Sequence, residues 1–145
     1  MSSSRVLIVA HKTAATPALI AAVADRAQRG QCTFTLLVPN VTHGLHRVVD
    51  PEDQQQDEAQ AVIALARPLL EEAAGGPVDT LVGDPSPLTA IEDAVHAIGF
   101  DEIIISTLPR RVSRWLHIDL PSKLQNLGLP VTTVVAGERR PVAAE

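Results

Sequence analysis

Short apolar runs alternate with longer amphipathic segments along the whole chain, and this alternation constrains the fold more than any other feature. Five runs read as buried strands: residues 5–10 (RVLIVA), 33–38, 78–82, 102–106 (EIIIS) and 130–136 (PVTTVVA). Between them lie segments with apolar residues at helical spacing. Thr16 as N-cap and Pro17 in the first turn open the first, Gly30 closes it, and Leu19, Ile20, Val23 and Ala27 form its apolar face. A second helix is expected over 57–74, with Val62, Ile63, Ala66, Leu69 and Leu70 inward and a kink or break at Pro68. Residues 40–56 before it read as irregular. Ser86 and Pro87 start a third helix carrying Leu88, Ile91, Val95 and Ile98, stopped by Gly99. Asp119 is the expected N-cap of a fourth, with Gly128 past its end.

Strands that alternate with helices, joined by right-handed crossovers, give a doubly wound α/β domain. The expected architecture is a five-stranded parallel sheet of order 3-2-1-4-5 with helices on both faces. Continuous apolar runs at 6–10 and 102–106 place these two strands in the sheet centre, covered on two sides. The loops that follow them then face each other at the topological switch point, where such sheets bind ligands.

Composition narrows the class. At 145 residues the chain makes one domain, with residues 1–4 and 137–145 expected as flexible tails, and it buries roughly two thirds of its unfolded surface without staples. It is 46% hydrophobic but only 2% aromatic, so Ala, Val, Leu and Ile must build the core. A net charge of −5 opposes general nucleic-acid binding. The single cysteine, Cys32, excludes an internal disulfide and fits a reducing, cytoplasmic compartment. No apolar run approaches the roughly 18 residues of a membrane span, and the start is too short and polar for a signal peptide.

The segment after the fourth strand carries the functional signal. A loop in this position ordinarily binds phosphate through glycine backbone, yet no glycine lies between Gly99 and Gly128. Arg110, Arg111 and Arg114, faced by Lys12 from the first loop, form the one dense positive cluster of an acidic chain. Guanidinium groups hold phosphate or carboxylate by paired hydrogen bonds without glycine. The candidate anion or nucleotide site is therefore His11, Lys12, Thr13, Ser106, Thr107, Arg110, Arg111 and Arg114. His11 has no recognisable acid–base partner, so a polar role is expected rather than catalysis. Trp115 reads as a core or interface anchor with the option of stacking. His43 and His46, with Asp50, Glu52 and Asp53 nearby, have a spacing that recurs by chance, so no metal is expected. Ser106 and Thr107 lack the glycines of a nucleophile elbow.

Several pieces together resemble the universal stress protein family over nearly the whole length. They are Val6-Leu7-Ile8-Val9, Gly83-Asp84-Pro85-Ser86-Pro87, Phe100-Asp101-Glu102-Ile103-Ile104-Ile105, Ser113-Arg114-Trp115-Leu116 and Leu129-Pro130-Val131-Thr132-Thr133-Val134-Val135. The resemblance implies a Rossmann-like, adenine nucleotide alpha hydrolase-like fold and a stress or regulatory role. The family's ATP-binding branch carries G-x2-G-x9-G-[S/T]; laid onto this chain, its glycines fall near Ser106, Pro109 and Ile118 or Asp119, all replaced. An aspartate that the family tends to place after its first strand is met here by His11. The expected function is thus a non-enzymatic domain binding a small anionic ligand or none, without a cofactor. The alternatives are an adenine-nucleotide module working through arginines, or a hydrolase or transferase of the same superfamily. The resemblance also implies a homodimer through the fifth strand. The residues agree: Val131, Thr133 and Val135 belong to a run with no charge and no internal proline to guard its edge.

Overall fold

The computed structural model describes residues 3–40, 51–109 and 113–136 (at 51–57, 114 and 117 the backbone only). Five strands, β1 (Ser4–Val9), β2 (Cys32–Pro39), β3 (Val78–Gly83), β4 (Glu102–Thr107) and β5 (Val131–Val135), form one sheet of order β3-β2-β1-β4-β5. Every pairing is parallel. Val6 to Val9 pair with Glu102 to Ile105, so the two most apolar runs are adjacent and central as expected.

The period-2 alternation of the strands distributes the core between two layers. Val6, Ile8, Leu36, Val38 and Ile104 meet α1 (Pro17–Gln28) and α2 (Pro51–Ala74) on one face. Leu7, Val9, Leu37, Ile103 and Ile105 meet α3 (Pro87–Ala97) and α5 (Leu120–Gln125) on the other. A single turn of helix, α4 (Arg114–His117), precedes α5.

Several boundaries differ from the sequence reading. Helix α2 begins at Pro51, six residues before the expected start at 57. Proline suits the first helical turn, and Glu52 and Asp53 suit its positive end. The helix also runs through Pro68 without a break. Ala64, whose carbonyl Pro68 leaves unbonded, lies with Pro68 on the exposed face, where water can serve that carbonyl. Burial of Ile63, Ala66 and Leu70 sets the helix phase, which turns Leu69 partly outward. Ile98 is the C-cap of α3 and is exposed rather than packed. Thr16 and Asp119 occupy N-cap positions, but neither side chain caps its helix. Ser86 does, accepting from Thr89 N. Ser4 belongs to β1 and not to a tail; residues 137–145 lie outside the described residues.

At the amino ends of the central strands, polar groups close the sheet. Arg5 N donates to Asp101 Oδ2 at 2.8 Å, and Asp101 N donates to Arg5 O at 2.8 Å. Arg26, in the last turn of α1, places Nε 3.0 Å from both carboxylate oxygens of Glu102. Cys32 is half-buried nearby; burial pushes its thiol above the ordinary value, with Arg26 pulling the other way. Glu71 ties the α2 C-terminus to β3. Its Oε2 accepts from Val78 N at 3.0 Å and Arg67 Nε at 3.2 Å, and the first of these bonds holds its carboxyl below the usual range.

Gly83 is required by close packing. A Cβ there meets Ala90 Cβ at 2.8 Å and Leu37 Cδ1 at 3.0 Å. Both neighbours belong to the packed core, so α3 and β3 must separate to admit a methyl group. Gly83→Ala is expected to destabilise the fold by about 1–3 kcal/mol, read as a lowered midpoint in urea unfolding. An unchanged midpoint contradicts this packing.

Candidate functional site

At the carboxyl ends of the strands, the loop after β1 and the end of β4 come together. Residues 11–15 form tight turns, with Ala14 N donating to His11 O and Thr16 N to Thr13 O, both at 3.2 Å. The Thr16 hydroxyl, which does not cap its helix, donates to Thr13 O at 2.8 Å and tightens the same loop. The loop so held turns the Thr13 hydroxyl onto β4, where Thr13 Oγ1 and Ser106 Oγ are 2.6 Å apart and buried. Two hydroxyls that share one hydrogen bond retain one proton between them for a third group.

A cavity of about 340 Å³ opens beside this pair. Its polar lining includes His11, Lys12, Thr13, Asn40, Ser106 and Thr107; its apolar walls include Pro39, Pro85, Pro87, Leu108 and Trp115. Thr13, Ser106 and Thr107 are at most 3% exposed, and His11 is 8% exposed, so among those expected residues whose side chains are described only Lys12 stands in solvent. Apolar walls with a few convergent polar groups are the usual make-up of a small-molecule site, and this volume is at the compact end of such sites.

The structure thus brings His11, Lys12, Thr13, Ser106 and Thr107 to one cavity. Arg110 and Arg111 lie outside the described residues, as does the side chain of Arg114, whose backbone begins α4. His43, His46 and Asp50 are also outside them, together with the side chains of Glu52 and Asp53.

The sequence reading does not assign to the cavity Asn40, Pro39, Pro85, Pro87, Ser113 or Ile118. Asn40 follows directly on β2, and its N donates to Gly83 O at 2.9 Å, which ties it to the end of β3 where Pro85 follows. The rule that places ligands at strand carboxyl ends extends to β2 and β3 and identifies these positions. Trp115 is half-buried, packed against the core and lining the cavity at once. Ser113 Oγ accepts from Leu116 N at 3.1 Å at the start of the short helix that carries Trp115.

No protein-family model and no curated protein matches the chain. Solved structures do. A member of the universal stress protein family from Burkholderia pseudomallei superposes with TM-score 0.65 at 18% identity, covering 90% of this chain and 94% of that one. A universal stress protein from Archaeoglobus fulgidus gives 0.64 at 14% identity over 92% and 95%. The fold is that of the universal stress proteins. Nucleotide complexes are among the matches: an Archaeoglobus fulgidus protein with dAMP (TM-score 0.59, 15% identity, 92% and 98% covered) and, at lower identity, proteins with cAMP and AMP. At these identities the likeness establishes the fold and leaves the ligand to the residues of the cavity.

The left-handed backbone of Asp119 is informative in that light. Its φ of 57° is the only positive value at a non-glycine residue among those described. It is one of the two positions, Ile118 or Asp119, near which the resemblance sets a motif glycine. The turn between α4 and α5 adopts a conformation that glycine favours and aspartate tolerates.

Proposed function

We propose that this universal stress protein-like domain is a non-enzymatic regulatory module that binds a small anionic ligand in the cavity between the ends of β1 and β4. The observation that carries this reading is the buried Thr13–Ser106 hydroxyl pair at the cavity floor, with Lys12 at the rim. Hydroxyl donors and a lysine suit an anion. Among the described residues no carboxylate lines the cavity to repel one. AMP is the first candidate, because structures with this fold hold AMP, dAMP and cAMP. ATP held by a glycine loop is disfavoured. Pro109 has no N–H to donate, and Asp119 brings negative charge to that loop.

Arg110, Arg111 and Arg114 supply the remaining positive charge in this reading. Titration calorimetry with AMP and ATP tests it. Wild type is expected to bind AMP, and ATP no more tightly than AMP. Arg110→Ala with Arg111→Ala is expected to weaken AMP binding roughly tenfold and flatten its salt dependence, as the loss of charge-assisted contacts requires. Submicromolar ATP binding that survives both substitutions contradicts the account. A stress or regulatory role and a cytoplasmic location belong to the same reading.

The assembly proposed with it is a homodimer through β5. This strand ends the sheet. Ile103 N donates to Pro130 O and Ala136 N to Thr107 O. Alternate residues of a parallel strand serve one neighbour, so residues 130, 132, 134 and 136 face β4. Val131, Thr133 and Val135 then carry their backbone N–H and C=O groups outward. A two-fold partner adding its own β5 satisfies both edges through one self-complementary surface.

A further inference from the structure

Helix α2 is apolar on two sides. From Ala61 to Leu70 its only polar side chain is Arg67. Ile63, Ala66 and Leu70 are buried in the core between this helix and the sheet. Ala61, Ala64, Leu65, Pro68 and Leu69 are exposed, Leu65 at 66% and Leu69 at 38%. Their spacing of i, i+3, i+4, i+7 and i+8 makes one continuous stripe about 12 Å long. A single exposed leucine is ordinary, but a helix apolar all round belongs in an interior. No residue of α2 is among those lining the cavity, so the stripe is separate from the ligand site.

Two features select what covers it. Acids stand at both ends of the stripe, Glu58 one turn before Ala61 and the exposed Glu72 one turn after Pro68. The one base, Arg67, is held by Glu71 at 3.2 Å. Within the stripe, Pro68 has no N–H to give to the Ala64 carbonyl. A purely apolar cover buries that acceptor without a donor, which opposes binding. A second copy of α2 also sets like charges together. Two antiparallel copies centred on Leu65 bring Glu58 of one against Glu72 of the other. An anionic bilayer is repelled by the same acids.

We propose that the outer face of α2 docks a basic amphipathic helix of another protein. Apolar residues of that helix cover Leu65 and Leu69, and its lysines or arginines meet Glu58 and Glu72. One of these cations donates to the Ala64 carbonyl. Ala61 and Ala64 are small, so ridges of the incoming helix can seat beside Leu65.

The probe is a fluorescent helical peptide of leucine and lysine, with leucines at i, i+3, i+4 and i+7. Its control is the same peptide with glutamate in place of lysine. Anisotropy is titrated at about 0.15 M salt, which screens general attraction to an acidic chain. Wild type is expected to bind the lysine peptide at least about tenfold more tightly than the glutamate peptide. Leu65→Gln and Glu72→Lys are each expected to weaken that binding at least about fivefold. Both are exposed positions, so their urea midpoints are expected to match wild type. Absence of binding by wild type overturns the proposal. Full affinity in Leu65→Gln reduces the binding to net charge, and full affinity in Glu72→Lys removes the charge selection; either result overturns it too. Sedimentation of Thr133→Pro, which blocks the β5 edge, tests the rival occupant. Association of that variant that Leu65→Gln abolishes assigns the stripe to a second copy and overturns the basic partner. Flotation with phosphatidylcholine vesicles that Leu65→Gln abolishes assigns it to a bilayer with the same consequence. None of these results bears on the cavity.

Discussion

Glu102→Ala is expected to destabilise the domain by about 3 kcal/mol, the lower end for breaking a buried ion pair, out of a total of about 5–15 kcal/mol for a domain of this kind. The Arg26 and Glu102 side chains are 11% and 19% exposed, with Nε equidistant from both carboxylate oxygens. Removing the carboxylate leaves a guanidinium on a side chain only 11% exposed without its partner. That uncompensated charge, rather than the lost attraction, sets the cost. The corollary distinguishes this cause from simple loss of packing. Arg26→Met with Glu102→Leu removes both charges and keeps volume, and it is expected to lie within about 1 kcal/mol of wild type. Urea unfolding of the three proteins checks both statements. A double variant as unstable as Glu102→Ala contradicts the electrostatic explanation. Ligand binding should be unaffected by the double change, since the pair lies at the amino end of β4, away from the cavity.

Thr133→Pro is expected to convert a dimer into a monomer with little change in the fold of the subunit. The substitution removes one outward-facing N–H and leaves the bonds of residues 132 and 134 to β4 untouched. An edge strand is where proline is tolerated. In the proposed dimer that N–H is central to the shared edge, so its loss, with the bulk of the ring, blocks pairing with the partner's strand. Sedimentation at micromolar concentration reads the outcome. A wild-type monomer, or a Thr133→Pro dimer as tight as wild type, overturns the assembly.

The fold was legible because its signal is redundant. Strand runs such as 5–10 and 102–106 are continuous, turn residues separate them, and chain order with crossover handedness leaves few topologies. Boundaries were less legible where a local rule was applied without its surroundings. Pro68 reads as a breaker until its freed carbonyl is seen to face solvent, and the helical start at Pro51 was masked by a polar, acidic stretch. The Arg26–Glu102 pair was invisible because its members are 76 positions apart and nothing local marks either. At the cavity, the loops after β1 and β4 followed from the switch-point rule, which brought out Thr13 and Ser106. Asn40 carries no such signal, because the switch point marks only the loops after β1 and β4 and a buried side chain without a hydrogen bond is a property of packing that no motif records.

The central claim is that the cavity between the ends of β1 and β4 is a ligand site, and backbone amide chemical shifts recorded during titration with AMP test it most directly. The account predicts saturable shifts concentrated at residues 11–13, 40, 106–108 and 113–118. Shifts that cluster instead around Arg5, Asp101 and Glu102 at the opposite end of the sheet, or no saturable shift at millimolar AMP, contradict it.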